Sequence, residues 1–168
     1  MSTLSNVLSA TALSVTALVF LMTPAVHADE SPEAKKTLVR QVVEQVLNQG
    51  KLDLAEELVH DAGAFGPEWF RTTYRMRRSA FPDLTYRIEE LIAEGDRVVC
   101  RFTAVGTPNG PVVLAPSDEP VEVSGVAIFE VRDGKIRSGW ELTDMLGLMR
   151  KTGYTVQAPQ ASRSSLEH

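Results

Sequence analysis

The run from Val121 to Asp144, Val-Glu-Val-Ser-Gly-Val-Ala-Ile-Phe-Glu-Val-Arg-Asp-Gly-Lys-Ile-Arg-Ser-Gly-Trp-Glu-Leu-Thr-Asp, admits few structures. Asp133-Gly134 between two alternating stretches is a strong hairpin signal. A two-residue turn there sets Arg132 opposite Lys135. Phe129 then faces Ser138, Ala127 faces Trp140 and Val123 faces Asp144. Side chains alternate along a strand, so Val131, Phe129, Ala127, Val123, Ile136, Trp140 and Leu142 share one face. Glu122, Glu130, Arg137 and Glu141 fall on the other. Asp144 joins the apolar face if the strand persists that far. A carboxylate at the end of an apolar row is a cap or a working group.

Helical patterns precede this hairpin. Ser31-Pro32-Glu33 opens a helix, with Ser as N-cap, Pro in the first turn and an acid near the positive end of the dipole. Leu38, Val39, Val42, Val43, Val46 and Leu47 form an apolar stripe at helical spacing, and Gly50 closes the helix. A short second helix is expected over Leu52 to Val59. A third runs from Pro67 to about Ala80 and is broken at Phe81-Pro82-Asp83. From Leu84 the pattern turns to strands, with Gly95-Asp96 as a turn and a bulge able to shift that hairpin's register. Gly106 to Pro120 reads as a long loop. Three helices followed by a meandering sheet predict an α+β domain.

The chain has 168 residues and a net charge of -5. That balance argues against a nucleic-acid partner, since phosphate binding needs a basic surface. The first 28 residues carry no Lys, Arg, Asp or Glu. Their apolar run from Val7 to Met22, then Pro24 and Val26-His27-Ala28, reads as a secretory signal peptide cut after Ala28. The alternative is an uncleaved helix packed on the domain or a partner. The run is short for a membrane span, so no stable anchor is expected. This reading places the mature protein in the periplasm or outside the cell. The domain then spans residues 29–157, and residues 158–168 form a disordered tail ending in the tag-like Leu166-Glu167-His168. Cys100, the one cysteine, excludes an intrachain disulfide and reads as a small buried hydrophobe.

Several segments, taken in order, resemble the SnoaL-like polyketide cyclases of the nuclear transport factor 2-like superfamily. They are Val42 to Gly50, Gly66 to Phe70, Ala80 to Leu84, Ile92 to Val98, Pro120 to Gly125, Asp133 to Ile136 with Trp140, and Asp144 to Leu148. The resemblance spans roughly Glu33 to Gly153. It implies a cone-shaped α+β barrel, with the three N-terminal helices packed on a strongly curved antiparallel sheet around an internal hydrophobic pocket. It also implies a homodimer. In that family an aspartate near the end of the last strand is the acid/base of an intramolecular aldol closure, and Asp144 matches its position. A pocket-lining histidine usually follows the second helix. His60 is the candidate here, although the family's segment at that point is longer.

A carboxyl buried beside Trp140 and Leu142 would have a raised pKa and could exchange a proton near neutral pH. Asp144 in such a place would take a proton between two carbonyls and return it to the product oxygen, with no cofactor or metal. Its alternatives are capping a helical turn at Met145 to Met149 and orienting a ligand by a hydrogen bond. Trp140, Phe129, Tyr74, Trp69 and Phe102 are candidate walls for a small hydrophobic ligand, with ordinary core packing as the alternative. Tyr86 belongs to the same aromatic set. Arg71, Arg75 and Arg78 share a helical face that reads as solvated, or as a rim for an anion. The sequence therefore points to a cyclase-type protein or to an exported binding module with the same pocket. An isomerase or epoxide hydrolase sharing the fold is a third reading.

Overall fold

The computed structural model describes residues 28–61, 65–109 and 118–155. The apolar segment read as a signal peptide, apart from Ala28, and the C-terminal tail lie outside those residues. Helix α1 (Pro32–Gln41) starts as its sequence dictates. The Ser31 side chain accepts a hydrogen bond from the Ala34 amide at 3.2 Å, and Pro32 fills the first turn. The helix continues as a π-helical stretch, Val42–Asn48. Leu38, Val39, Val42, Val43 and Val46 are buried, so the apolar stripe faces the core across the whole segment. Gly50 follows at φ 71°, a left-handed conformation that glycine adopts without Cβ strain.

Helix α2 (Leu54–Leu58) is short, and α3 (Pro67–Ala80) begins with Pro67 in its first turn. Four antiparallel strands follow: β1 (Thr85–Glu94), β2 (Arg97–Gly106), β3 (Val121–Arg132) and β4 (Lys135–Thr143). Helix α4 (Met145–Lys151) closes the described chain. The β1–β2 hairpin does contain a bulge, between Ile88 and Glu90. Asp133 and Gly134 both have positive φ, 52° and 68°, and Arg132 pairs with Lys135, as a primed two-residue turn requires.

Strand order is β1-β2-β3-β4, a simple meander with β1 and β4 at its edges. The cone-shaped barrel expected from the resemblance is corrected by this topology: the sheet is open, and β1 does not pair with β4. Closing a sheet removes its edges by joining them. Here the helical half of the chain meets each edge instead. The Asn48 side chain accepts from the Tyr86 amide at 2.8 Å and donates to the Tyr86 carbonyl at 2.9 Å, imitating a neighbouring strand on β1. At the other edge, Val59 bridges Ile136 in parallel and the His60 amide donates to the Ile136 carbonyl at 2.8 Å.

The core lies between the helices and one face of this sheet. Val98, Cys100, Phe102 and Ala104 of β2 meet Ala127, Phe129 and Val131 of β3 there. Lys35 of α1 is also covered, which the apolar pattern did not signal. Its Nζ pairs with Glu30 and Asp96 and donates to the Gly95 carbonyl, tying α1 to the β1–β2 turn.

Candidate functional site

The site follows from one extra residue in β4. Val131 pairs with Ile136, but the next pair is Glu130 with Ser138, so Arg137 is a bulge. A bulge reverses which side chains face inward beyond it. Gly139, Glu141 and Thr143 consequently turn toward the helices, while Trp140 and Leu142 turn away. Trp140 is 54% exposed and Leu142 61% exposed. This corrects the expected register: Ile128, not Ala127, faces Trp140, and Trp140 is no wall of an inner pocket. Glu141, expected outside, is inside.

Glu141 meets Arg77 of α3. The Arg77 Nη2 donates to both carboxylate oxygens, at 2.9 and 3.1 Å, and the Thr143 hydroxyl donates to Glu141 Oε1 at 3.0 Å. Arg77 Nη1 donates to the Tyr86 hydroxyl at 2.6 Å. Arg77 lies on the face of α3 that carries buried Phe70 and Thr73, at helical spacing. Burial works against its charge, but Tyr86 and Glu141 outweigh burial and hold its pKa above the usual value. Burial pushes the Tyr86 hydroxyl up, and Arg77 offsets only part of that. Tyr86 is therefore protonated at neutral pH. Its oxygen already accepts from Arg77, which leaves the O–H proton for another acceptor.

These groups stand in the wall of a recess of about 220 Å³. Met76, Arg77 and Ala80 of α3 line one side, with Phe81 and Leu84 beyond them. Tyr86, Phe102, Ala104, Gly106, Val121, Val123, Glu141 and Thr143 form the sheet side, and Met145 and Leu148 of α4 complete it. Apart from the cluster of Arg77, Tyr86, Glu141 and Thr143, the lining is almost wholly apolar.

The residues singled out from the sequence are dispersed. Phe102 lines the recess, edge-on to Tyr86 with ring centroids 5.5 Å apart. Trp69 and Phe129 belong to a separate aromatic group around Phe65, which stacks on Trp69 at 4.3 Å and lies 6.2 Å from Phe129. Tyr74 lies beneath the Arg78 guanidinium, 5.3 Å from its ring centroid, and close against Gly50. His60 is half-buried at the β4 edge, where its amide bonds Ile136, and is not among the residues lining the recess. Asp144 is exposed, and its Oδ1 accepts from the Gly147 amide at 2.8 Å as the N-cap of α4. That is the capping alternative. Asp144 borders a more open depression on the outer face with Arg101, Ser124 and Leu142 and does not line the recess, whereas its neighbours Thr143 and Met145 line both. Cys100 is buried, and burial pushes its thiol up to about 11, as suits a small core hydrophobe.

Sequence reasoning missed Arg77 and Glu141. Arg77 had a signal, since it repeats the helical spacing of Phe70 and Thr73. Glu141 had a weaker one: Gly139 inside a strand pattern marks a bulge or a close approach. An ideal Cβ on Gly139 would sit 2.3 Å from the Phe65 ring.

The family model described as SnoaL-like polyketide cyclase matches residues 37–152, well over half of the chain. The chain belongs to the SnoaL-like polyketide cyclase family. Among solved structures, TsrD from Streptomyces laurentii is 27% identical, with a TM-score of 0.64 over 74% of this chain and 98% of its own. A SnoaL-like polyketide cyclase from Agrobacterium tumefaciens, 21% identical, shares the fold with a TM-score of 0.64 over 71% of this chain and 98% of its own. No curated protein matches the chain. Among the described residues of this SnoaL-like chain, the recess joins an apolar lining to fixed hydrogen-bonding groups.

Proposed function

We propose that this SnoaL-like protein binds a small, mainly apolar carbonyl compound in the recess between α3, the sheet and α4. The observation that carries the reading is the Tyr86 hydroxyl, part of the polar cluster in a mainly apolar lining, with its oxygen occupied by Arg77 and its proton free for a carbonyl. Apolar contact supplies affinity in such a site, and a few polar groups fix orientation. Binding without chemistry is the favoured form, because both Glu141 oxygens already accept hydrogen bonds. A catalytic form, in the sense the family name carries, would take its carboxylate from Glu141, since the Asp144 carboxylate caps α4. Titration of acetophenone into the protein and into Tyr86→Phe tests the reading. Loss of one hydrogen bond should weaken binding about fivefold to tenfold, on the order of 1 kcal/mol. Equal affinity in the two proteins would remove Tyr86 from the site.

We also propose the homodimer and the export that the sequence suggested. The outer face supports the first. Ile92, Val99, Ile128 and Trp140 form one apolar row across all four strands, bordered by the cross-strand pairs Glu90–Arg101 and Arg97–Glu130. Trp140→Glu is expected to shift sedimentation from dimer to monomer, and a wild-type monomer would refute the arrangement. For export, the protein from its native host should begin at Asp29 by mass, and an intact Met1 there would refute it.

A further inference from the structure

Arginine in an apolar wall would ordinarily make the recess a trap for anions, because a half-buried guanidinium is a strong partner for carboxylate or phosphate. Here the recess already contains that carboxylate. Glu141 takes both bonds of one Arg77 nitrogen, Tyr86 takes the other nitrogen, and Thr143 adds a third bond to Glu141. Side-chain exposure is 24% for Arg77 and 25% for Glu141, so both charges are partly withdrawn from water and held against each other. An anionic ligand would have to displace Glu141 or share the Arg77 cation with it, against the repulsion of that carboxylate. A cationic ligand would face the same conflict with Arg77. A neutral ligand meets neither.

We propose that the Arg77–Glu141 pair is a specificity device that restricts the recess to uncharged ligands, leaving the Tyr86 hydroxyl as the donor they receive. This rests on the proposed binding in the recess and adds the class of molecule accepted. The ligand is a neutral ketone, aldehyde or ester, not the corresponding acid. The device has a reciprocal consequence. Replacing Glu141 by its neutral isostere frees the Arg77 cation and should turn the recess into an anion site. Replacing Arg77 frees the carboxylate and should turn it into a cation site.

Matched probes of similar shape separate these cases: acetophenone is neutral with a carbonyl, benzoate is its anionic counterpart, benzylammonium is cationic, and ethylbenzene is apolar. Each is titrated calorimetrically into wild type, Glu141→Gln and Arg77→Gln, with folding checked by circular dichroism. Wild type should bind acetophenone at least tenfold more tightly than benzoate or benzylammonium. Glu141→Gln should raise benzoate affinity at least tenfold, and Arg77→Gln should do the same for benzylammonium. Either variant suffices if the other fails to fold. If neither folds, the wild-type preference for acetophenone over both ions decides. A wild-type protein that binds benzoate as well as acetophenone, or a folded variant whose preference moves less than twofold, would overturn the proposal while leaving binding in the recess intact. Failure of wild type to bind both acetophenone and ethylbenzene would overturn this proposal and the binding reading together.

Discussion

Asp144 and Glu141 are three positions apart and do different work. Asp144 holds the Gly147 amide at the start of α4, and Glu141 holds Arg77 in the recess wall. Asp144→Ala should therefore cost about 1 kcal/mol of stability, typical of a lost N-cap, and leave acetophenone affinity unchanged. Thermal melts and the same titration check both halves, and a large loss of affinity at unchanged stability would restore Asp144 to the site. Cys100 gives a second residue-level expectation. Its folded pKa, about 11, lies above the ordinary 9.0, so folding favours the neutral thiol. The associated stability is fully present below pH 9 and falls as the pH rises from about 9 toward 11. Iodoacetamide at pH 8 should accordingly leave Cys100 unlabelled in the native protein and label it after denaturation. Rapid native labelling would contradict its burial.

At the scale of elements, the β4 bulge decides the site. The turn at Asp133-Gly134 was legible, because a left-handed pair of that composition has few alternatives. The apolar stripe of α1, the start and end of α3 and the strand meander were legible for the same kind of local reason. The face of β4 beyond Arg137 was not. Period-two reasoning assigns faces only while the register holds, and one inserted residue reverses every later assignment. Trp140 and Leu142, as apolar residues, made the unbulged register look correct. What favours the bulge is tertiary: Gly139 must face the Phe65 ring, where no side chain fits. Gly139→Ala is thus expected to destabilise the protein by about 1–3 kcal/mol through overpacking. Phe65→Leu in the same chain should recover part of the loss, giving a measurable coupling energy. Additive effects in chemical denaturation would show that the two do not touch.

For the whole molecule, the open sheet leaves one face for the helices and one for solvent or a second copy. The inner face divides in turn. Its β3–β4 turn end is filled by Phe65, Trp69, Phe70 and Phe129, while the end beneath α3 and α4 retains the recess. Asn48 couples the two halves, since its side chain fixes the backbone of Tyr86 and so the position of its hydroxyl in the recess wall. The resemblance led to the right family, yet the carboxylate it singled out lies on the far side of β4 from the recess. Methionine methyl resonances offer the most direct test of where ligands bind. Met76 lines the recess, Met145 lines both the recess and the outer depression beside Asp144, and Met149 of α4 lines neither. In protein carrying labelled methionine methyl groups, acetophenone should shift Met76 and Met145 in a saturable way and leave Met149 unmoved. Saturable binding that leaves Met76 unshifted, whether or not Met145 moves, would place the ligand elsewhere and contradict the account.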